Sequence, residues 1–295
     1  MASRFDFVSV GAYTQDTIVT RAGTRYVDGG GYSYSAHAAR LAGINVGAVT
    51  RLAAADRKST DLLRSAGVDV IVRESAHSTL MRLEYPTDNV DERILTVAEV
   101  ADPFVPTDLD SVNAEAILIS ASNRGEVPLS VVEAVRAKAR RVGLDVQGFV
   151  RIRTPQGRLA YEAWPEMKPV LALVDVLKSD AVEGEFLTGE TDLRAIARKL
   201  ATYGPKEIVL THKDGLLVLA NGVVHEQPFR PLELRGRSGR GDTCVGSYLS
   251  RRLNAEPADA TRWAAALTSL KLEAEGPIRR SRADVEAAIR NRYPH

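Results

Sequence analysis

The sequence predicts an α/β fold: a central, mostly parallel sheet flanked by helices, with a small β lid. Three observations carry this expectation. Short β-branched runs alternate with segments of helical periodicity through most of the chain, as in a parallel sheet covered by helices. Two stretches, at about 17–28 and 78–98, break that rhythm with alternating polar and apolar residues and no helix of their own. The last third opens on a hairpin signal and closes on three helical segments.

Phe5 to Val10 reads as the first strand. Thr17 to Val27 follows with alternating character, then a helix over Ser33 to Ala42, a strand over Asn45 to Thr50 and a helix over Arg57 to Ala66. Thr79 to Val97 alternates again, through Met81, Leu83 and Tyr85, then Ile94 and Thr96. These alternating stretches are expected to be antiparallel strands of an accessory sheet, with edge hairpins of the central sheet as the alternative. A strand at Ala116 to Ser120 leads to a helix at Pro128 to Arg141, where a first-turn proline forgoes an N–H that would have no partner. Strands at Gly143 to Val146, Asp175 to Lys178 and Glu207 to Thr211 enclose a helix at Leu193 to Tyr203. Gly215 to Leu219 and Val223 to Gln227 join through Asn221-Gly222, which suits a type I′ hairpin turn. Helices at Asp242 to Leu253, Pro257 to Ala274 and Arg282 to Arg292 end the chain. No internal repeat, low-complexity tract or long linker interrupts it, so one domain over 1–295 with inserted lid strands is expected.

Lys and Arg number 39 against 38 Asp and Glu, and this near-neutrality gives no reason to expect nucleic acid or membrane as the main partner. Cys244 is the lone cysteine, which excludes an intramolecular disulfide or a multi-cysteine metal site. Met1 to Asp6 runs into charged residues without a secretory pattern, and apolar runs such as Val170 to Val174 fall far below the roughly 18 residues of a membrane span. A cytoplasmic location is therefore expected.

The segment richest in chemistry is Gly236-Arg237-Ser238-Gly239-Arg240-Gly241-Asp242-Thr243. Three glycines allow a tight turn that exposes consecutive N–H groups, and helical spacing begins directly afterwards. A glycine-rich turn feeding a helix N-terminus attracts anions, because free N–H groups and the positive end of the helix dipole face the same point. Two arginines in the turn strengthen a preference for phosphate. The plainer alternative makes Asp242 a helix N-cap in an ordinary loop. No G-x-x-x-x-G-K-S/T loop occurs, and the first strand ends at Val10-Gly11-Ala12-Tyr13 without a dinucleotide-binding glycine pattern.

Gly239-Arg240-Gly241-Asp242-Thr243 resembles the G-A-G-D-S/T signature of the ribokinase-like (PfkB) carbohydrate kinases. Further segments resemble that family in the same order along almost the whole chain. They are Val10-Gly11 with Asp16, Gly29-Gly30-Gly31 with the helix to Leu41, Asp180 to Glu183 as an N-x-x-E segment, Thr211 to Gly215, and Ala264 to Lys271. The resemblance implies transfer of the ATP γ-phosphoryl group to an alcohol, which needs positioning, charge neutralisation and a base. It implies Asp242 as that base and the N–H groups of Gly239, Arg240 and Gly241 as the anion hole. It further implies that Glu183 and Asp180 act on Mg²⁺ through water, and that Thr211 and Gly215 contact ATP. Asp16, Gly30, Gly31 and Tyr34 fall to the substrate side, and Ala264 to Lys271 to the border of the adenine. Taken alone, Glu183 and Asp180 also read as carboxylates starting a helix, and Thr211 and Gly215 as strand-end turn residues.

The departures bear on substrate and donor. Arg240 replaces the alanine of the signature, where it could reach a phosphate, occlude the pocket or face solvent. Tyr34 replaces an expected asparagine, and Asp180 replaces the asparagine of N-x-x-E. Leu144 to Arg151 looks like a segment of inositol-kinase-like members; Asp145 and Arg151 there either line the site or form a structural ion pair. A sugar or polyol is thus the expected acceptor, with a nucleoside kinase or a non-catalytic ligand-binding descendant as alternatives. Family members often dimerise through the lid, which makes a homodimer an expectation.

Overall fold

Alternation along the strands sorts their side chains onto two faces, and each face needs its own cover. In the computed structural model, which describes residues 3–87 and 94–294, that cover is a layer of helices on either side of one sheet. The strands, in chain order, are β1 (Ser3–Val10), β2 (Thr14–Thr20), β3 (Gly23–Gly29), β4 (Val46–Ala53), β5 (Asp69–Ser75), β6 (Thr79–Glu84), β7 (Ile94–Glu99) and β8 (Val112–Ile119). They continue with β9 (Ala139–Asp145), β10 (Arg151–Arg153), β11 (Leu159–Tyr161), β12 (Val176–Asp180), β13 (Glu207–Thr211), β14 (Gly215–Ala220) and β15 (Val223–Pro228). The helices are α1 (Gly31–Arg40), α2 (Asp61–Ser65), α3 (Leu129–Lys138), α4 (Gln147–Val150) and α5 (Met167–Leu171). The second half adds α6 (Ala181–Thr188), α7 (Leu193–Ala201), α8 (Arg240–Arg251), α9 (Pro257–Leu272) and α10 (Arg282–Arg292).

The main sheet has nine strands in the order β15-β14-β13-β12-β9-β8-β1-β4-β5. Six of its eight pairings are parallel; the two involving β14 are antiparallel, as a hairpin at the sheet edge requires. Neighbours along a strand point to opposite cores: Val8, Ile117, Leu177 and Ile208 face one, and Phe7, Leu118, Val176 and Val209 the other. Burial on both faces explains why these strands read as continuous apolar runs. Asn221 at φ 52° and Gly222 at φ 76° close the β14–β15 hairpin as the Asn-Gly pair predicts.

The alternating stretches form a separate four-stranded sheet, β3-β2-β6-β7, and not edge hairpins of the main one. Its centre departs from expectation, since β2 and β6 pair in parallel while the flanking pairs are antiparallel. That follows from the connection: β2 and β6 each leave the main sheet at the same end, after β1 and β5, and so run side by side. The part of the second alternating stretch at 88–93 lies outside the described residues, as do Met1 and Ala2 of the N-terminal reading.

Three local expectations are corrected. The helix at Arg57 to Ala66 is a 3₁₀ segment, Ala54–Thr60, followed by the short α2. The helix from Pro128 stops at Lys138, because Ala139-Arg140-Arg141 already pairs with β8 as the start of β9. Asp69–Ser75 was not expected as a strand, yet it forms the outer edge of the sheet beside β4. Gly246 lets α8 lie on α1, since a Cβ there would sit 2.6 Å from the Ser35 backbone. Through that contact the N-termini of both helices meet above the carboxyl ends of the parallel strands, where open α/β sheets place their ligands.

Candidate active site

A cavity of about 250 Å³ opens at this edge, between the main sheet and the four-stranded sheet. Its walls include Asp16, Gly30, Gly31, Tyr34, Arg151, Asp180, Thr211, Gly239, Arg240, Gly241 and Asp242, gathered from distant parts of the chain. Gly215 and Glu183 are not in the lining. Gly215 is needed elsewhere: a Cβ would collide with the Gln227 carbonyl across the β14–β15 hairpin.

The glycine-rich turn resolves the alternatives for Asp242. Gly239, at φ 74°, is the N-cap of α8, a left-handed position that favours glycine. Asp242 therefore stands in the first turn and is not the N-cap. Its Oδ1 lies against Gly31, where any Cβ would collide with it. Burial raises the Asp242 carboxyl above the ordinary range, with Lys178 pulling the other way. The Arg240 N–H donates to the Arg237 carbonyl at 3.2 Å, so the donors that helix geometry leaves open in this turn belong to Gly241 and Asp242. Arg240 and Arg237 both line the cavity.

Beneath the turn lies a buried charge cluster that sequence reading missed. Lys178 comes from the interior of β12 and is 3% exposed. Its Nζ lies 2.9 Å from Asp145 and 3.8 Å from Glu183, and a Cβ at Gly241 would stand 2.8 Å from it. The signal was present, because a lysine inside an apolar central strand must be paired when the strand is buried on both faces. Asp145 and Arg151 do not form the ion pair considered above: Asp145 holds Lys178, and Arg151 holds Glu183 at 2.9 Å. Arg151 lines the cavity and Asp145 is buried behind it.

Asp180 caps α6 by accepting from the Glu183 N–H at 2.8 Å, and Glu183 accepts from the Asp180 N–H at 2.9 Å. Both Glu183 oxygens are thus committed to partners. Among the described residues no three His, Cys, Asp or Glu side chains gather to hold a metal ion. The arrangement still fits Mg²⁺, which keeps several waters and takes one or two carboxylates plus substrate phosphates. Asp180 lies on the cavity wall and is the carboxylate that would meet such an ion through water.

Asp16 also lines the cavity, and its Oδ1 is buried with no hydrogen-bond partner among the described residues, an acceptor left open. Burial pushes its carboxyl up to about 6; the Thr14 hydroxyl opposes this, and Asp242 and Asp28 add to it. Substrate affinity is accordingly expected to fall as pH drops below about 6, where a proton occupies the acceptor, and to be flat above it. Calorimetric titration of the acceptor substrate between pH 5 and 8 checks this, and an Asp16→Asn protein should lose the dependence. One wall is apolar. Met81, Leu83 and Leu95 reach down from the paired strands β6 and β7, with Leu159 beside them. Tyr34, standing where an asparagine was expected, lies so close to Gly239 that no side chain fits between them. No residue of 264–271 lines the cavity: α9 is buried there against the sheet.

The profile of the pfkB family carbohydrate kinases matches residues 5–283. Among solved structures, a pyrophosphate-dependent kinase in the ribokinase family, complexed with a pyrophosphate analogue and myo-inositol, is 32% identical with a TM-score of 0.88, covering 95% of this chain and 99% of its own. A second structure concerns a pyrophosphate-dependent myo-inositol-1 kinase converted into a myo-inositol-3 kinase by replacing an asparagine and a serine with leucine. It is 32% identical with a TM-score of 0.87, over 98% of this chain and all of its own. A cytidine kinase of Thermococcus kodakarensis is 24% identical over 258 residues, 83% of this chain and 87% of that protein.

Proposed function

Because the chain belongs to the pfkB family of carbohydrate kinases, we propose that it transfers a phosphoryl group from pyrophosphate to a hydroxyl of an inositol-like polyol. The observation that carries the donor is the composition of the cavity. Beside the turn it presents Arg237, Arg240 and Ser238, with the paired Lys178 behind Gly241, and nothing from α9 where an adenine was expected to rest. Cations and N–H groups suit a small, highly charged donor, whereas a nucleotide base seeks an apolar or aromatic surface. The solved pyrophosphate-dependent relatives support the same reading.

In this reaction Asp242 accepts the proton of the attacking hydroxyl as the new P–O bond forms, and its raised proton affinity suits the task. The N–H groups of Gly241 and Asp242, with Gly239 shaping the turn, hold the transferring charge. Arg240 and Arg237 neutralise the donor phosphates, and Lys178 keeps Gly241 in place from below. Asp180 would hold Mg²⁺ through water, and the ion would supply further neutralisation of phosphate charge. Thr211 borders the donor side, while Asp16, Gly30, Gly31 and Arg151 surround the polyol. The four-stranded sheet serves as a lid that keeps water from the donor.

The leucine pair on that lid bears on which hydroxyl reacts. Leu83 and Leu95 are cross-strand partners facing the cavity; in the related 1-kinase, leucines replacing an asparagine and a serine give a 3-kinase, and we assign the same part to this lid pair. We expect myo-inositol 3-phosphate as the product. A phosphate-release assay with pyrophosphate or ATP against inositols, sugars and nucleosides, followed by chiral analysis of the product, tests both parts. Preferential turnover with pyrophosphate and myo-inositol supports the donor and acceptor. Turnover confined to ATP with cytidine or another nucleoside would overturn them, and a 1-phosphate product would overturn the position alone.

A further inference from the structure

We propose that Lys271 is a positioning residue, a fixed internal cation that fastens the glycine-rich turn in the shape that receives the transferring phosphoryl group. The inference rests on the assignment of that turn as the anion-holding element, and not on the identity of the acceptor.

Lys271 sits in the last turn of α9, with only 1% of its surface exposed, beneath a strap that leads from β15 to the turn. Its Nζ donates to the Gly236 carbonyl at 2.9 Å. Two backbone bonds reinforce the same point, since the N–H groups of Arg235 and Gly236 both donate to the Leu272 carbonyl, at 2.9 and 3.2 Å. Gly236 permits this approach: a Cβ there would collide with the Ala274 carbonyl. The ammonium also lies 5.6 Å from the centroid of the Tyr34 ring, and that ring presses on Gly239. One cation therefore grips the turn twice, directly at Gly236 and, through an aromatic ring, at Gly239. A buried lysine is costly unless its charge is used, and among the described residues no carboxylate bonds to this one. The negative end of the α9 dipole and the nearby Asp242 and Glu275 favour its charged form.

Burial nonetheless lowers the Lys271 ammonium to about 8, with Arg240 adding to the effect. Below that pH the tether is charged; above it the charge-assisted bond and the cation–π contact with Tyr34 are weakened, and the backbone bonds to Leu272 are left to hold the turn. The groups facing Lys271 are Tyr34 from α1, Arg240 and Asp242 from α8, and Glu275 beyond α9. Burial holds Tyr34 far above this range, and the arginine keeps its charge throughout.

The test uses the whole protein and inorganic sulfate, whose charge is constant over the range, as the probe of the turn. In calorimetry, sulfate affinity of the wild type should fall as pH rises from about 7 to about 9.5, approaching tenfold per unit above the midpoint. Lys271→Met should bind sulfate weakly at all these values, show no such slope, and lose about 10²-fold in kcat while retaining acceptor affinity. A flat sulfate profile in the wild type would overturn the proposal, as would a Lys271→Met protein that keeps the alkaline slope. Should Lys271→Met fail to fold, Lys271→Arg, which keeps a cation at every pH of the range, should retain sulfate affinity and lose the slope, whereas a slope that survives there belongs to Asp242 and overturns the proposal. Sulfate binding with the expected slope but no turnover of any polyol would leave this inference standing and count only against the acceptor.

Discussion

Asp242→Asn is expected to lower kcat by about 10²–10⁴-fold, the usual contribution of a positioned base, while the acceptor Kd changes little. The substitution keeps the side chain's size and its position against Gly31, so the cavity retains its shape. What it removes is the only carboxylate standing in the first turn of α8, beside the donors of Gly241 and Asp242. Steady-state kinetics together with calorimetric binding separates the two effects. A variant that lost affinity and stability in step with turnover would point to a structural carboxylate instead. That outcome runs against the geometry, because Gly239 and not Asp242 caps the helix.

The largest effect on stability is expected at Lys178. Lys178→Met removes the cation between Asp145 and Glu183 and leaves buried carboxylates uncompensated, at a cost of about 3–5 kcal/mol. Burial already raises both carboxyls above their ordinary range, with Lys178 the chief opposing influence, so without it each would take up protons more readily. Denaturant unfolding of the variant measures the loss. Adding Asp145→Asn should recover part of it, because the second change removes the charge that the first one stranded. Full additivity of the two losses would show that the pair is not coupled. Activity should suffer as well, since Lys178 supports Gly241 from below.

Much of this architecture is legible in order along the chain. The alternation of apolar runs with helical periodicity gives the parallel sheet, Asn221-Gly222 gives the edge hairpin, and the glycines around Asp242 give the anion turn, because each depends on neighbours a few residues away. Even the accessory sheet shows itself, as stretches whose period of two has no helix to follow. What stayed hidden were features decided by partners far apart in the chain. The β2–β6 pairing is parallel because of where two chain segments leave the main sheet, and nothing within either strand encodes that direction.

The site divides along the same line. By itself the sequence determined the family resemblance, the phosphoryl-transfer chemistry and most of the residues that converge on one cavity, since backbone freedom and side-chain chemistry are local properties. Only the tertiary structure decided the use to which the remaining charges are put. It made Gly215 a hairpin residue, closed Glu183 into a salt bridge with Arg151, paired Asp145 with Lys178, and set Lys271 under the turn. It also withdrew 264–271 from the cavity, one of the grounds on which pyrophosphate is proposed as the donor. The physical reason is common to all of these. A charge or a close approach acquires its role from what lies within a few ångströms, and those neighbours come from strands and helices that only folding brings together.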